Sequence, residues 1–157
     1  NKAGFACLAV EAHAATASAV PHPEHAGVDA GDTIQANSAE LFLNDDLHPM
    51  IAAMNAIGYD IWTTGNHEYN YGMDVLKKVM GQQKAKVLTG NVYAPDGTPL
   101  ADGYTIIKKG TVKIGVIGMV TPNIIRWDAK NLEAGRSPTL WTRAAGSSIR
   151  SRIRWMC

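Results

Sequence analysis

The stretch Tyr59-Asp60-Ile61-Trp62-Thr63-Thr64-Gly65-Asn66-His67-Glu68-Tyr69-Asn70-Tyr71-Gly72 decides the fold. Its first six residues are a short apolar run that reads as a buried strand. Gly65 to Gly72 is a polar loop, and a helical pattern begins near Met73. Asn66 and His67 therefore fall at the carboxyl end of a strand, where open α/β sheets place their ligands. A second strand end lies upstream, in Val28-Asp29-Ala30-Gly31-Asp32-Thr33-Ile34-Gln35. It delivers the carboxylate of Asp32. A carboxylate, an amide oxygen and an imidazole on adjacent strand ends suit hard or borderline divalent cations.

These two blocks resemble the calcineurin-like metallophosphoesterases. The likeness is greatest to the branch of 5'-nucleotidases and 2',3'-cyclic-nucleotide 2'-phosphodiesterases/3'-nucleotidases. Gly65-Asn66-His67-Glu68 is its most specific part, and Gly31-Asp32 stands at the expected distance upstream. Asp32-Thr33-Ile34-Gln35, Asn70 and His48-Pro49-Met50-Ile51 favour the cyclic-nucleotide enzymes. The resemblance runs from about Val28 to Arg136 and fades on both flanks. It implies part of an α/β/β/α sandwich, with a largely parallel sheet and a β-hairpin.

The resemblance also assigns roles. Asp32 matches the carboxylate that bridges two divalent metal ions (Mn, Zn, Mg, Co or Fe), and Asn66 an oxygen ligand of the second ion. His67 matches the catalytic histidine that stabilises the transferring phosphoryl group or helps the leaving oxygen depart. Glu68 and Asn70 would orient the loop and His67 from behind. Gly31 and Gly65 read as residues that permit tight turns. The implied substrate is a nucleotide or cyclic nucleotide, with metal-dependent phosphoester hydrolysis as the reaction. The alternatives are a 5'-nucleotidase, or a fragment that binds metal or a partner without turnover. The family also has an upstream Asp-x-His and a downstream Gly-His-x-His, and neither occurs here in suitable order. The chain thus reads as an interior piece of a catalytic domain. The family implies an extracellular, periplasmic or cell-wall-associated location.

Bulk properties agree with a globular α/β piece. The chain has 157 residues, 46% hydrophobic and 18% charged, with a net charge of +1. That length allows one domain with a real core. The charge gives no reason to expect a nucleic-acid polymer as partner, and no apolar run is long enough to span a membrane. Cys7 and Cys157 lack metal-ligand spacing and read as neither zinc site nor disulfide. Oligomeric state is not readable.

Around the motifs, Asp45 or Asp46 is expected to cap a helix that has Pro49 in its first turn. Met50, Ile51, Met54 and Ile57 would form its apolar stripe, and Gly58 its stop. Asp46-Leu47-His48 copies an Asp-x-His metal motif, but it lies after the Gly-Asp block and at a helix start, so it reads as structural. The next helix should run from Met73 to Met80, burying Val75, Leu76, Val79 and Met80, with Gly81 ending it. Lys86 to Thr89 reads as a strand, which gives β-α-β-α-β order and a parallel sheet. Pro95-Asp96-Gly97 is a turn. Tyr104 to Lys108 and Val112 to Val120 form a hairpin around Lys109-Gly110-Thr111, its second strand apolar enough to be buried on both faces.

The flanks are atypical. Residues 1–27 are rich in Ala and His, and the spacing of His13, His22 and His25 matches no ligand pattern. After Glu133 there is no acid, while Arg136, Arg143, Arg150, Arg152 and Arg154 accumulate. Back-translated and read one base earlier, Ser137 to Cys157 yields an acidic helix-like pattern followed by the start of a strand. Glu24 to Gly27, similarly shifted, can read Asn-Thr-Leu-Val, which would supply the family's strand before Val28. Taken at face value the tail is a basic arm suited to anionic surfaces; frame errors on both flanks would instead account for the departures from the family.

Overall fold

The computed structural model describes residues 25–35, 37–94, 96–133 and 141–142. Three short parallel strands form its spine: β1 (Val28–Asp29), β2 (Ile61–Thr63) and β3 (Lys86–Leu88), in the order β1-β2-β3. Val28 pairs with Ile61, and Ile61 with Lys86. Helix α1 (Pro49–Ile57) connects β1 to β2, and α2 (Gly72–Gln82) connects β2 to β3. The β-α-β-α-β order expected from the sequence is the order observed.

Alternation along β2 divides the core in two. Trp62 faces the helices and joins Ile51, Met54, Leu76, Val79 and Ile34. Ile61 faces the other way and meets Leu88 and Val116, with Val28, Ile107 and Ile114 packed around them. That second layer is the hairpin β5 (Tyr104–Lys109) and β6 (Val112–Ile117), paired from Tyr104↔Ile117 to Lys109↔Val112. Between β3 and the hairpin lies β4 (Val92–Tyr93), and the turn at Gly97 closes on the Ala94 carbonyl. Lys109 forms an ion pair with Asp60 at 2.8 Å, tying the hairpin end to the start of β2. The chain then forms α3 (Ile124–Trp127) and α4 (Ala129–Glu133). Strand β7 (Trp141–Thr142) pairs antiparallel with β4. The other expectations for the flanks, including the shifted frames, lie outside the described residues apart from His25 to Gly27.

Several local expectations need correction. The cap of α1 is His48, not Asp45 or Asp46. Its Nδ1 accepts from the Met50 amide at 3.3 Å, and its Nε2 lies 3.1 Å from the Ala39 carbonyl. Both nitrogens of this buried ring are thus used, and the Asp46-Leu47-His48 likeness to a metal motif has a structural cause. The α1 stripe is half as wide as its spacing suggests: Ile51 and Met54 are buried, while Met50 and Ile57 are exposed. Gly58 does stop the helix, at φ 84°, its amide bonding the Met54 carbonyl.

Helix α2 does not end at Gly81. It continues to Gln82, whose carbonyl accepts from Asn55 and whose side chain accepts from the His48 amide, so tertiary bonds hold the last turn. On its face Leu76 and Val79 are buried, and Val75 and Met80 only partly so. Finally, β6 is not buried on both faces. Ile114 and Val116 pack inward, but Ile117 is exposed, as are Tyr104 and Ile106 on the paired strand. A two-stranded antiparallel layer can bury one face and leave the other open.

Candidate active site

Two loops at the carboxyl ends of β1 and β2 meet backbone to backbone. Past β1, Asp29 Oδ1 accepts from the Gly31 amide at 2.9 Å and from the Thr33 hydroxyl at 3.0 Å. This Asx-type turn sends the chain through φ 89° at Gly31 and φ 62° at Asp32. A positive φ is uncommon for a residue with a Cβ and marks a backbone held by its surroundings. The Trp62 indole donates to Thr33 Oγ1 at 2.9 Å and fixes this loop to β2.

Glu68 holds the two loops together. Its buried carboxylate accepts from the amides of Asp32 (2.8 Å), Thr33 (2.6 Å), Ile34 (3.4 Å) and Gly65 (2.7 Å). Burial pushes this carboxyl above its usual range; the backbone N–H bonds pull it back in part, and the Asp32 charge pushes it up again. Thr64 Oγ1 and the buried Tyr69 hydroxyl, 3.0 Å apart, close the loop beneath it.

The approach is close enough to exclude side chains. A Cβ on Gly31 would lie 1.9 Å from the Gly65 nitrogen, and one on Gly65 would lie 2.2 Å from Asp32 Oδ1. Gly31 fits the expected turn. Gly65 does not need a positive φ; its smallness admits the Asp32 carboxylate.

That carboxylate is exposed, and its Oδ1 accepts from the His67 amide at 3.1 Å. Asn66 precedes a 3-10 turn, His67–Tyr69, and its side chain makes no capping bond. Asp32, Asn66 and His67 are therefore brought together at one loop junction. His67 Nδ1 lies 2.8 Å from Asn70 Oδ1, and Asn70 Nδ2 donates to Asp128 Oδ1 at 2.6 Å. Asp128, between α3 and α4, carried no sequence signal: it belongs to no motif and contacts Asn70 across 58 residues of chain.

Asp32 and Asn66 present oxygen donors of the type that divalent cations take. Among the described residues, no three His, Cys, Asp or Glu side chains cluster as a metal site. The pair thus fits a cation as part of a larger donor set.

No family model matches the chain. It is 38% identical over 125 residues to the trifunctional nucleotide phosphoesterase protein YfkN of Bacillus subtilis, covering 68% of this chain and 8% of that protein. It is 36% identical over 122 residues to a 2',3'-cyclic-nucleotide 2'-phosphodiesterase/3'-nucleotidase of Haemophilus influenzae, covering 68% and 19%. Alignments with 5'-nucleotidases are shorter, spanning 77 residues. The crystal structure of the calcineurin-like phosphoesterase YfkN superposes with a TM-score of 0.73 at 33% identity, over 86% of this chain and 45% of that one. The chain spans about a fifth or less of the length of these curated relatives. Fold, paired loops and relatives together define a calcineurin-like phosphoesterase, and the chain belongs to that family. Within it, the chain falls among the 5'-nucleotidases and 2',3'-cyclic-nucleotide phosphodiesterases.

Proposed function

We propose that this chain supplies part of the catalytic centre of a metal-dependent nucleotide phosphoesterase of the 2',3'-cyclic-nucleotide 2'-phosphodiesterase/3'-nucleotidase type. The observation that carries this reading is the contact of the His67 amide with Asp32 Oδ1, which joins the two motif loops. Residues 1–157 would form one part of a single catalytic domain, with the family likeness carried by residues 28–136. The longer alignment with a cyclic-nucleotide enzyme favours that substrate over a 5'-nucleotide.

Asp32 and Asn66 would hold divalent cations, two in the whole protein, with further ligands from other residues. Such cations, when bound, withdraw charge from a phosphoester and lower the pKa of water. Asp32 adds negative charge to the donor set, and Asn66 adds an oxygen without charge. With Nδ1 engaged by Asn70, His67 has Nε2 available for a phosphoryl oxygen or for protonating the leaving oxygen. An extracellular, periplasmic or cell-wall location goes with this reading; among the described residues no helix is long and apolar enough to cross a membrane.

The test is hydrolysis of 2',3'-cyclic AMP, 3'-AMP and 5'-AMP by the intact protein with Mn²⁺. Activity on the first two, abolished by Asp32→Asn, is the expected result. Preference for 5'-AMP would reassign the substrate, and full activity of Asp32→Asn would overturn the site.

A further inference from the structure

Asp128 is almost fully buried and lies against Asn70. Its Oδ1 accepts from Asn70 Nδ2 at 2.6 Å and from Asn131 Nδ2 at 3.3 Å. Its Oδ2 is buried, with no hydrogen-bond partner among the described residues. The Asn131 contact crosses only one turn, whereas the Asn70 contact reaches the site loop.

An asparagine side chain has two faces of opposite character, one accepting and one donating. If Asn70 were turned over, its Oδ1 would face the Asp128 oxygen, placing lone pairs against lone pairs. A carboxylate only accepts, so Oδ1 can take a hydrogen from Asn70 but cannot give it one. Asn70 must therefore donate to Asp128 and present its own Oδ1 to His67. A carbonyl oxygen 2.8 Å from His67 Nδ1 requires that nitrogen to donate. The neutral imidazole then carries its hydrogen on Nδ1 and its lone pair on Nε2.

We propose that Asp128 is a positioning residue that sets the tautomer and orientation of His67 through Asn70. The buried acid acts at a distance of two hydrogen bonds, and the asparagine transmits direction rather than charge. The functional importance of this arrangement rests on the phosphoesterase reading of His67. The arrangement itself does not.

The test is long-range proton–nitrogen correlation NMR of the 157-residue chain in chelator, at a pH where His67 is neutral. With Asn70 held in this orientation by Asp128, its amide oxygen should favour the Nδ1–H form of His67 about tenfold or more. Asp128→Asn, which can donate or accept, should bring the two tautomers within about threefold of each other. The swap Asn70→Asp with Asp128→Asn should restore the Nδ1–H form, because a carboxylate then faces His67 directly. A dominant Nε2–H form in the native chain would overturn the proposal, as would an unchanged tautomer in Asp128→Asn. If Asp128→Asn does not fold, the native and swap tautomers decide the matter alone. Absence of nucleotide hydrolysis would leave these readouts intact, so the two ideas fail separately.

Discussion

The Glu68 carboxylate lies 2.8 Å from the backbone nitrogen of Asp32, 36 residues upstream, and accepts from it. The charged end of Glu68 is thus used up inside the protein, and the charged end of Asp32 is left outside it. One acid builds the junction, and the other is presented at its surface.

Glu68→Gln should therefore cost stability more than its near-identical shape suggests. The amide end would set N–H groups against backbone N–H donors that now share two carboxylate oxygens. Leaving one or two such buried donors unpaired costs roughly 1–3 kcal/mol each. Urea unfolding of the chain should show a lower midpoint, equivalent to a stability loss of about 1–6 kcal/mol. A midpoint within error of the parent would mean that the Glu68 bonds contribute little.

The role of Glu68 shows what could be read in advance and what could not. Strand, loop and helix around residues 59–82 were legible because periodicity and loop chemistry change within a few positions. The meeting of Asp32 with Asn66 and His67 was legible through paired motifs. The four-amide grip of Glu68 was foreseen only as an orienting role, since backbone donors leave no trace in side-chain sequence. Asp128 left none either, because its contact with Asn70 links two otherwise unrelated segments. The exposure of Met50, Ile57 and Ile117 escaped prediction for a different reason. An apolar stripe records what can be buried, and what covers it depends on the rest of the fold.

Glu68 also predicts a pH dependence. Its folded carboxyl sits above the ordinary value of 4.5, chiefly through burial. Between 4.5 and the raised value the folded chain keeps a proton that the unfolded chain releases. Its contribution to stability is thus full at acid pH and falls as pH rises through that window. In chelator, the melting temperature of the parent should decline across this range relative to that of Glu68→Gln. Parallel pH profiles for the two proteins would contradict the assignment.

Gly65→Ala tests the close packing of the loops. The new methyl would lie 2.2 Å from Asp32 Oδ1 and 2.6 Å from its nitrogen, so the acid must move. Displacing a reacting-site group by about 1 Å can cost about 10²-fold in rate. A loss of that order in the intact protein is expected, with the helices still formed by circular dichroism. Parent-like kcat would show that the Asp32 position is not critical.

The ion pair between Lys109 and Asp60 gives an asymmetric prediction. Asp60 accepts from the Gly27 amide at 2.9 Å through Oδ2, while its Oδ1 meets Lys109. Lys109→Met removes one partner of a half-buried pair and leaves Asp60 its amide. Asp60→Ala removes both bonds and leaves the lysine charge beside the sheet. Lys109→Met should cost about 1–3 kcal/mol, and Asp60→Ala clearly more. Chemical unfolding of both variants and of the double variant separates the terms. Equal costs would mean that the Gly27 bond contributes nothing to holding β1 beside β2.

The last prediction concerns cations. Asp32 and Asn66 supply two oxygen donors at the loop junction, whereas a divalent ion takes six or more ligands, or four in the tetrahedral zinc case. Among the described residues no further His, Cys, Asp or Glu joins them as a metal cluster, so water is expected to fill the remainder, and water is easily lost to bulk. Mn²⁺ should then bind no tighter than about 10⁻⁴ M, the weak end of the range for oxygen-ligand sites. Asp32→Asn should weaken that binding further, because the charged donor is the stronger of the two. His48→Asn should leave it unchanged, since both His48 nitrogens serve the α1 cap and the Ala39 carbonyl. Calorimetry on the three chains makes the comparison. Two tight sites in the parent would show that this segment holds a nearly complete metal centre. Loss of binding in His48→Asn but not in Asp32→Asn would move the cation from the loop junction to the helix start.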